Sequence, residues 1–513
     1  RRLQRGGLSA TVGNPEQLLT WLQGSQPAHG RARVVMPQQA AAAPSADVAL
    51  DYVGSVPNAA KVIASLHRGE KRLVFCESRR QVEELAVSLR SHDVTTFVSH
   101  SSLSVDERRR AETAFAEARD CVIVSTSTLE LGIDVGDLDR VVQVDAPRTV
   151  ASFLQRLGRT GRRADTSRNA LFLATSGESL VHSAGLLSLW AQGWVEPVVP
   201  PPSPRHLVAQ QLLGVCLQEH RVGDATWREW VDVGGVDPAD ADAIVDWLVT
   251  TGHLDHDSGM LFIGPEAERR YGHRHFMDLV TSFTAEPQFT VIAGRQELGT
   301  VDPLVLTRKV DGPRLIVLAA RAWRVTHIDW RRRRCWVEPA EDKTRMRWQG
   351  QPQPLSFEMT RAQRDVLLGT TPPVTLSARA QQALVREREL ADPTVAAGST
   401  VVDVEDAWWW TWAGARANAT LAAAVPDLVD ARSRYENDRI RLRGGVGIAE
   451  LRAAISRIDP GDRWLPDVDG AAIRGLKFAG SLPPELAVRT LAERLADRAG
   501  ADVVLREGMT RRG

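Results

Sequence analysis

The residues of this chain best suited to chemistry are arginines held at a fixed spacing by glycines. They lie in Gln155-Arg156-Leu157-Gly158-Arg159-Thr160-Gly161-Arg162-Arg163. A guanidinium is always charged and presents its donors as a rigid fork. Spaced in this way, Arg159 and Arg162 can grip the phosphates of a nucleotide bound on a neighbouring domain. A second segment precedes them at short range, Ser125-Thr126-Ser127-Thr128-Leu129-Glu130-Leu131-Gly132-Ile133-Asp134. The 513 residues contain no Gly-x-x-x-x-Gly-Lys-Ser/Thr phosphate loop and no acidic metal-binding motif to complement those arginines.

Such side chains need a scaffold, and residues 47–192 read as one. Val48–Val53, Arg72–Cys76, Val94–Val98, Cys121–Val124 and Arg140–Val144 are strand candidates, and helix candidates fall between several of them, such as Asn58–His67. Ser104 and Glu107 form a capping box that opens a helix reaching Ala118. Strands that are apolar throughout, alternating with helices, imply an α/β fold with a parallel sheet covered on both faces. Ligands of such sheets sit at the carboxyl ends of the strands, where 125–128 and 155–163 fall.

The rest of the chain divides by composition. Residues 1–25 read as the end of a preceding α/β domain. Gly7–Thr11 is expected as a strand end, and a short helix starts at Asn14-Pro15-Glu16. Residues 26–46 are a linker, 47–195 the α/β domain, and 196–285 a winged helix. That last unit is expected from helices at 205–219, 224–231 and 239–251 and a hairpin turning at Asp257-Ser258-Gly259. Residues 286–513 are expected as one module, β-rich at first and then mixed α/β. The chain starts at Arg1 in what reads as a domain interior, so it is expected to be a fragment.

Composition narrows the class. Hydrophobic residues at 43% and charged residues at 25% are those of a globular protein, and no apolar run is long enough to span a bilayer. Lys plus Arg and Asp plus Glu number 64 each, so a polyanionic partner has to be met by local clustering. Four scattered cysteines suit a reducing cytosol, and a cytoplasmic location is expected. His253, His256, His273 and His275 match no closed zinc spacing, so no metal is expected on them.

The two segments named above resemble motifs V and VI of superfamily 2 helicases. Leu8-Ser9-Ala10-Thr11 resembles motif III, and Leu73–Ser78 with Arg79 resembles motif IV. Further on, 274–279, Gly299-Thr300-Val301-Asp302 and Trp409-Trp410-Thr411-Trp412-Ala413-Gly414 resemble the core of the large helicase-related (Lhr) family. The resemblance implies two RecA-like domains, a winged helix and a family-specific C-terminal module. It also implies an ATP-driven single-strand translocase that unwinds DNA or RNA–DNA duplexes, moves 3′ to 5′ and works in DNA repair. ATP with Mg2+ is then the cofactor, its metal ligands belonging to an N-terminal domain absent from these residues.

Under that resemblance Arg159 and Arg162 are arginine fingers, and Gly132, Asp134 and Gln155 approach the nucleotide. Asp134 has a second reading, as the cap of the turn before Asp137. Ser9 and Thr11 couple the nucleotide site to the strand. Ser78, Arg79, His100, Thr126 and Thr128 contact the nucleic-acid backbone, which positions a strand without reading its sequence. Many relatives carry glycine where this chain has Ser101, beside His100. Arg331–Arg334 between Trp330 and Trp336 has two readings. With Arg331 and Arg333 presented to solvent it is a surface for single-stranded nucleic acid. Strand alternation alone could equally produce a hairpin with a tryptophan face and an arginine face. Trp408–Trp410 read as core. A non-catalytic nucleic-acid-binding remnant and an RNA helicase are the rival functions, and oligomeric state is not legible.

Overall fold

The computed structural model describes residues 5–9, 11–23, 32–35, 46–100, 105–130, 138–161, 166–231, 233–272, 275–281, 288–301, 303–307, 310, 313–318, 321–340, 354–430, 435–459, 462 and 464–512. Residues 5–9 and 11–14 have no regular structure, and among the described residues no strand pairs with them. The expected helix follows as α1 (Pro15–Gln23), with none of its residues buried.

The α/β domain forms where strands and helices alternate in sequence. Its strands are β1 (Asp47–Tyr52), β2 (Lys71–Cys76), β3 (Thr95–Ser99), β4 (Cys121–Ser125), β5 (Arg140–Val144) and β6 (Asn169–Ala174). Its helices are α2 (Val56–Ser65), α3 (Arg79–Arg90), α4 (Val105–Glu117), α5 (Val150–Leu157) and α6 (Gly177–Ala191). The strands pair in the order β1-β6-β5-β2-β4-β3, parallel throughout. Every residue of β4 is buried, as a parallel strand covered on both faces requires. On one face Phe153 of α5 meets Phe172 and Trp190 edge-on, with ring centroids 5.1 and 5.5 Å apart. The capping box at Ser104 lies outside the described residues.

A seventh strand, Thr375–Leu376, pairs parallel with β1 at the sheet edge. It belongs to a stretch expected in the C-terminal module. The helices on either side of it, Phe357–Leu367 and Ala378–Ala391, bury Met359, Val366, Ala380 and Leu384 in the α/β core. Residues 286–513 are therefore not one body. A five-stranded sheet within 289–339 has its own core, to which Ala472 contributes. A four-stranded sheet of 399–403, 408–410, 439–441 and 508–512 has another. The physical reason is that the helices of 357–391 carry apolar faces matching α6, which is apolar on all sides and must be covered on all sides.

Next to the α/β domain, α7 (Arg205–Glu219) and α8 (Pro238–Thr250) pack against β7 (Val222–Gly223), β8 (Leu254–Asp257) and β9 (Met260–Ile263). The helix expected at 224–231 is a single turn, Trp227–Glu229. Val222–Gly223 is instead drawn into the sheet against β9, and the Asp224 amide donates to the Gly259 carbonyl. That leaves room for one turn before Gly234-Gly235. The same core takes Leu476, Phe478, Leu482 and Leu486 from far down the chain. Arg205, 1% exposed, ties this unit together through Asp240 at 2.7 Å and Glu493 at 2.8 Å.

His206 is buried beside it and accepts from Arg494 at Nε2. Burial first, then the Arg494 charge, lowers its pKa to about 4. The unfolded chain takes up this proton near the ordinary histidine value of about 6.5, the folded chain only near 4. The stability tied to neutral His206 is thus present above 6.5 and disappears as the pH falls towards 4, by up to about 3 kcal/mol. His206→Phe is expected to flatten the fall in urea-unfolding stability between pH 6.5 and 5. An unchanged slope would contradict this.

Candidate functional site

The site lies at the carboxyl ends of β2, β4 and β5, where α5 runs past them. Its centre is Arg156. The helix repeat turns this residue inward, and it is 3% exposed. Its Nη1 donates to Glu77 at 2.7 Å and to Gln143 at 2.6 Å. Its Nε and Nη2 donate to Oε1 of Glu130 at 2.8 and 2.6 Å. Its guanidinium carbon lies 4.8 Å from the centroid of the Phe75 ring. Burial opposes its charge, but Glu77 and Glu130 more than offset this, and its pKa is raised. One arginine thus joins the ends of three strands to one helix.

Glu130 holds the second arginine as well. Arg159 follows α5, is 8% exposed, and donates from Nη2 to the Glu130 carbonyl. The segments 125–130 and 155–161 therefore meet on one residue, its carboxylate holding Arg156 and its carbonyl Arg159. Thr160 locks the next turn, its hydroxyl donating to the Leu157 and Asn169 carbonyls and accepting from the Asn169 amide. Gly161 has φ +68°, and a Cβ there would lie 2.8 Å from Arg168. Glycine is required at that corner.

The amino end of α5 is held from two sides. The Thr149 hydroxyl accepts from the Ser152 amide as the N-cap. The amides of Val150 and Ala151 donate to the Glu196 carboxylate at 2.7 and 3.0 Å. A carboxylate on first-turn amides contributes about 0.3–1 kcal/mol. His182 is within hydrogen-bonding distance of the Pro147 carbonyl through Nε2 (3.0 Å) and of the Gln363 amide through Nδ1 (2.9 Å). Burial lowers its pKa, in keeping with a neutral ring.

The other expected site residues are placed less uniformly. Gln155 is partly exposed on α5, and Ser9 and Thr11 are exposed. Gly132, Asp134 and Arg162 lie outside the described residues. Ser78 caps α3, its oxygen accepting from the Gln81 amide at 3.1 Å. Arg79 forms an ion pair with Glu297 of the five-stranded sheet, so it is not presented alone to a phosphate. His100 is 4% exposed with Nε2 on Glu83 at 2.7 Å, which places it within the fold and not on an open strand path. Thr128 is within hydrogen-bonding distance of Ser125 Oγ and the Ser99 carbonyl, while Thr126 is partly exposed.

Arg331 and Arg333 sit in the turn between the strands Arg321–Asp329 and Arg334–Pro339, in a different sheet from α5. The segment forms a hairpin: Trp330 is 5% exposed against Phe289, and Arg331 faces solvent. Arg333 is partly buried, with φ 55°. Trp409 is fully buried, as expected of core. Trp408 and Trp410 are half-buried, with Arg439 stacked at 4.4 and 4.5 Å.

Residues 56–164 match the helicase conserved C-terminal domain. Among curated proteins, the Lhr helicase/uracil glycosylase of Escherichia coli is 28% identical over 267 residues, 42% of this chain and 17% of that protein. The Lhr helicase/probable uracil glycosylase of Mycolicibacterium smegmatis is 27% identical over 391 residues, 63% of this chain and 25% of that protein. The chain thus spans a quarter or less of these curated relatives. Among solved structures, Mycobacterium smegmatis helicase Lhr bound to ssDNA and AMP-PNP is 21% identical, with a TM-score of 0.68 over 99% of this chain and 73% of that one. The chain is similar to Lhr helicases, and residues 56–164 carry the helicase conserved C-terminal domain. The fold of this chain is that of the M. smegmatis structure, an α/β domain followed by mixed sheets.

Sequence reasoning missed Glu77, Glu130, Gln143, Arg156 and Glu196 as site residues. One signal was available: Gln143 interrupts the apolar strand Arg-Val-Val-Gln-Val, and a polar side chain inside such a strand requires a partner. The described residues bring two arginines to one carboxyl edge of the sheet through Glu130, and the 513 residues hold no phosphate loop.

Arg156→Met keeps the volume but leaves Glu77, Glu130 and Gln143 facing an apolar group. Breaking a buried pair from one side costs about 3–5 kcal/mol. Thermal and urea unfolding of the variant are expected to show a loss of that order. A loss below about 1 kcal/mol, the range of a surface pair, would mean the network is not structural.

Proposed function

We infer that this chain is the arginine-bearing half of an ATP-driven single-strand translocase that unwinds DNA or RNA–DNA duplexes. The observation that carries the reading is the meeting of segments 125–130 and 155–161 on Glu130 at the carboxyl edge of a parallel sheet. Ligands of such sheets bind there. The relative bound to ssDNA and AMP-PNP supports it.

Bound ATP with Mg2+ would supply the phosphoanhydride whose hydrolysis drives movement. The reading requires a first RecA-like domain to provide the phosphate loop and metal ligands. This chain's own residues close the cleft from the opposite side. Arg159 and Arg162 neutralise charge developing on the phosphates. Arg156, held by Glu77 and Glu130, keeps α5 aligned so that those arginines arrive in register. Thr126 positions the strand through its backbone, and Arg331 adds a cationic contact on the second sheet. The unit built on α7, α8 and the β7–β9 sheet serves as the winged helix that guides the strand. A cytosolic location, 3′ to 5′ movement and a role in DNA repair belong to the same reading.

The rival reading is a non-catalytic nucleic-acid-binding remnant of such a motor. ATP hydrolysis separates the two. Paired with a first domain that carries a phosphate loop, the chain is expected to give turnover stimulated by single-stranded DNA. Arg159→Ala is expected to reduce that turnover by on the order of a thousandfold. Salt-sensitive strand binding should stay unchanged. Full turnover in the variant would remove Arg159 from the role. Strand binding with no turnover in any pairing would favour the remnant.

A further inference from the structure

Glu196 stands in the connector between α6 and α7 and is engaged at both ends. Its carboxylate takes the first two amides of α5. Its carbonyl accepts from the Gly13 amide at 3.1 Å. Two residues on, Val198 is bracketed by the Asn14 side chain. Nδ2 of Asn14 donates to the Val198 carbonyl at 2.9 Å, and the Val198 amide donates to Oδ1 of Asn14 at 2.7 Å. The approach is close: a Cβ on Gly13 would lie 2.2 Å from the Val195 carbonyl oxygen. Asn14 is also the last residue before α1, and Gly13 follows Thr11 by two positions.

These contacts form an unbroken physical chain. It runs from the segment bearing Ser9 and Thr11, through Gly13 and Asn14, across the 196–198 backbone, through the Glu196 carboxylate and into α5. Arg156 lies within α5 and Arg159 just beyond it. The links from Gly13 and Asn14 to the 196–198 strap, and from Glu196 to α5, are hydrogen bonds between groups far apart in sequence. A carboxylate that accepts from two successive first-turn amides fixes both the axial position and the rotation of a helix. α5 has only eight residues, so a shift at its start reaches Arg159 with little attenuation.

We propose that Glu196 is a positioning residue for the arginine-bearing helix, and that the Gly13–Asn14 bracket acts through it to tie the Ser9–Thr11 segment to Arg159. This rests on the proposed function only for its purpose. The tie itself is a property of the chain. In that setting, a movement of the Ser9–Thr11 segment pulls on the strap and alters how the arginines are presented, without any direct contact between the two.

Hydrogen exchange of the purified 513-residue chain, resolved over residues 150–159, tests it. Glu196→Ala is expected to speed exchange at the Val150 and Ala151 amides about tenfold. Glu196→Gln keeps one acceptor and should fall between wild type and Glu196→Ala, a graded rescue that loss of bulk alone would not give. Asn14→Ala touches neither amide, yet it is expected to speed exchange at Val150 and Ala151 and at Gly158 and Arg159 by a factor of about three. Val142 and Ile123, in the sheet core, report that the fold is intact. If Asn14→Ala leaves 150–159 unchanged while Glu196→Ala does not, Glu196 is a local cap and the tie is refuted. If Glu196→Ala is itself silent, the positioning role is refuted. No nucleotide enters these measurements, so failure here is distinct from failure of the hydrolysis test.

Discussion

A guanidinium stripped of nearly all its water is stable only where anions and acceptors replace that water in the right geometry. Arg156 is in that position, and much of the site follows from how the requirement is met. Glu77 comes from the end of β2, Gln143 from the end of β5, Glu130 from the turn after β4, and the arginine itself from α5. Four elements that sequence keeps apart must converge to within hydrogen-bond distance of one side chain. The convergence fixes where α5 crosses the sheet, and it leaves the Glu130 carbonyl turned towards Arg159. Glu130 in this way holds both arginines, one through its carboxylate and one through its carbonyl.

The same economy recurs where distant parts of the chain meet. Arg205 joins α7 and α8 to Asp240 and Glu493, whose helix comes from near the end of the sequence. Arg361 donates from both terminal nitrogens to Glu507, tying the helix on the α/β domain to the start of the last strand. Paired forks of this kind specify direction as well as distance. They give the cores of this chain defined junctions where apolar contact alone would allow sliding.

Much of the α/β domain was legible in the sequence because its strands are short, have mostly apolar centres and are separated by helices of ordinary length. The arginine spacing carried the resemblance to superfamily 2 helicases. What the sequence did not disclose was how the arginines would be held. Both are buried, but only the place of α5 on the sheet gives Arg156 three side-chain acceptors and sets Arg159 against the Glu130 carbonyl. The partners Glu77 and Glu130 are ordinary acidic residues in their own neighbourhoods. Ser78, Arg79, His100 and Thr128 were read as strand contacts from their positions after strands, yet each has a partner within the fold. Capping and pairing use the same polar residues as ligand binding does. The helix expected at 224–231 failed because a two-residue strand captured its start, and so short a pairing leaves no periodicity to read.

The two-residue strand Thr375–Leu376 carries a consequence for how the chain is made. It covers the outer edge of β1, and the helices beside it cover the apolar sides of α6. A ribosome completes β1 to β6 long before it reaches residue 375. Throughout that interval the nascent domain presents an open parallel edge and an uncovered greasy helix, features that invite pairing with other chains. Folding of the first domain to be synthesised in this sequence is therefore finished by a segment made much later.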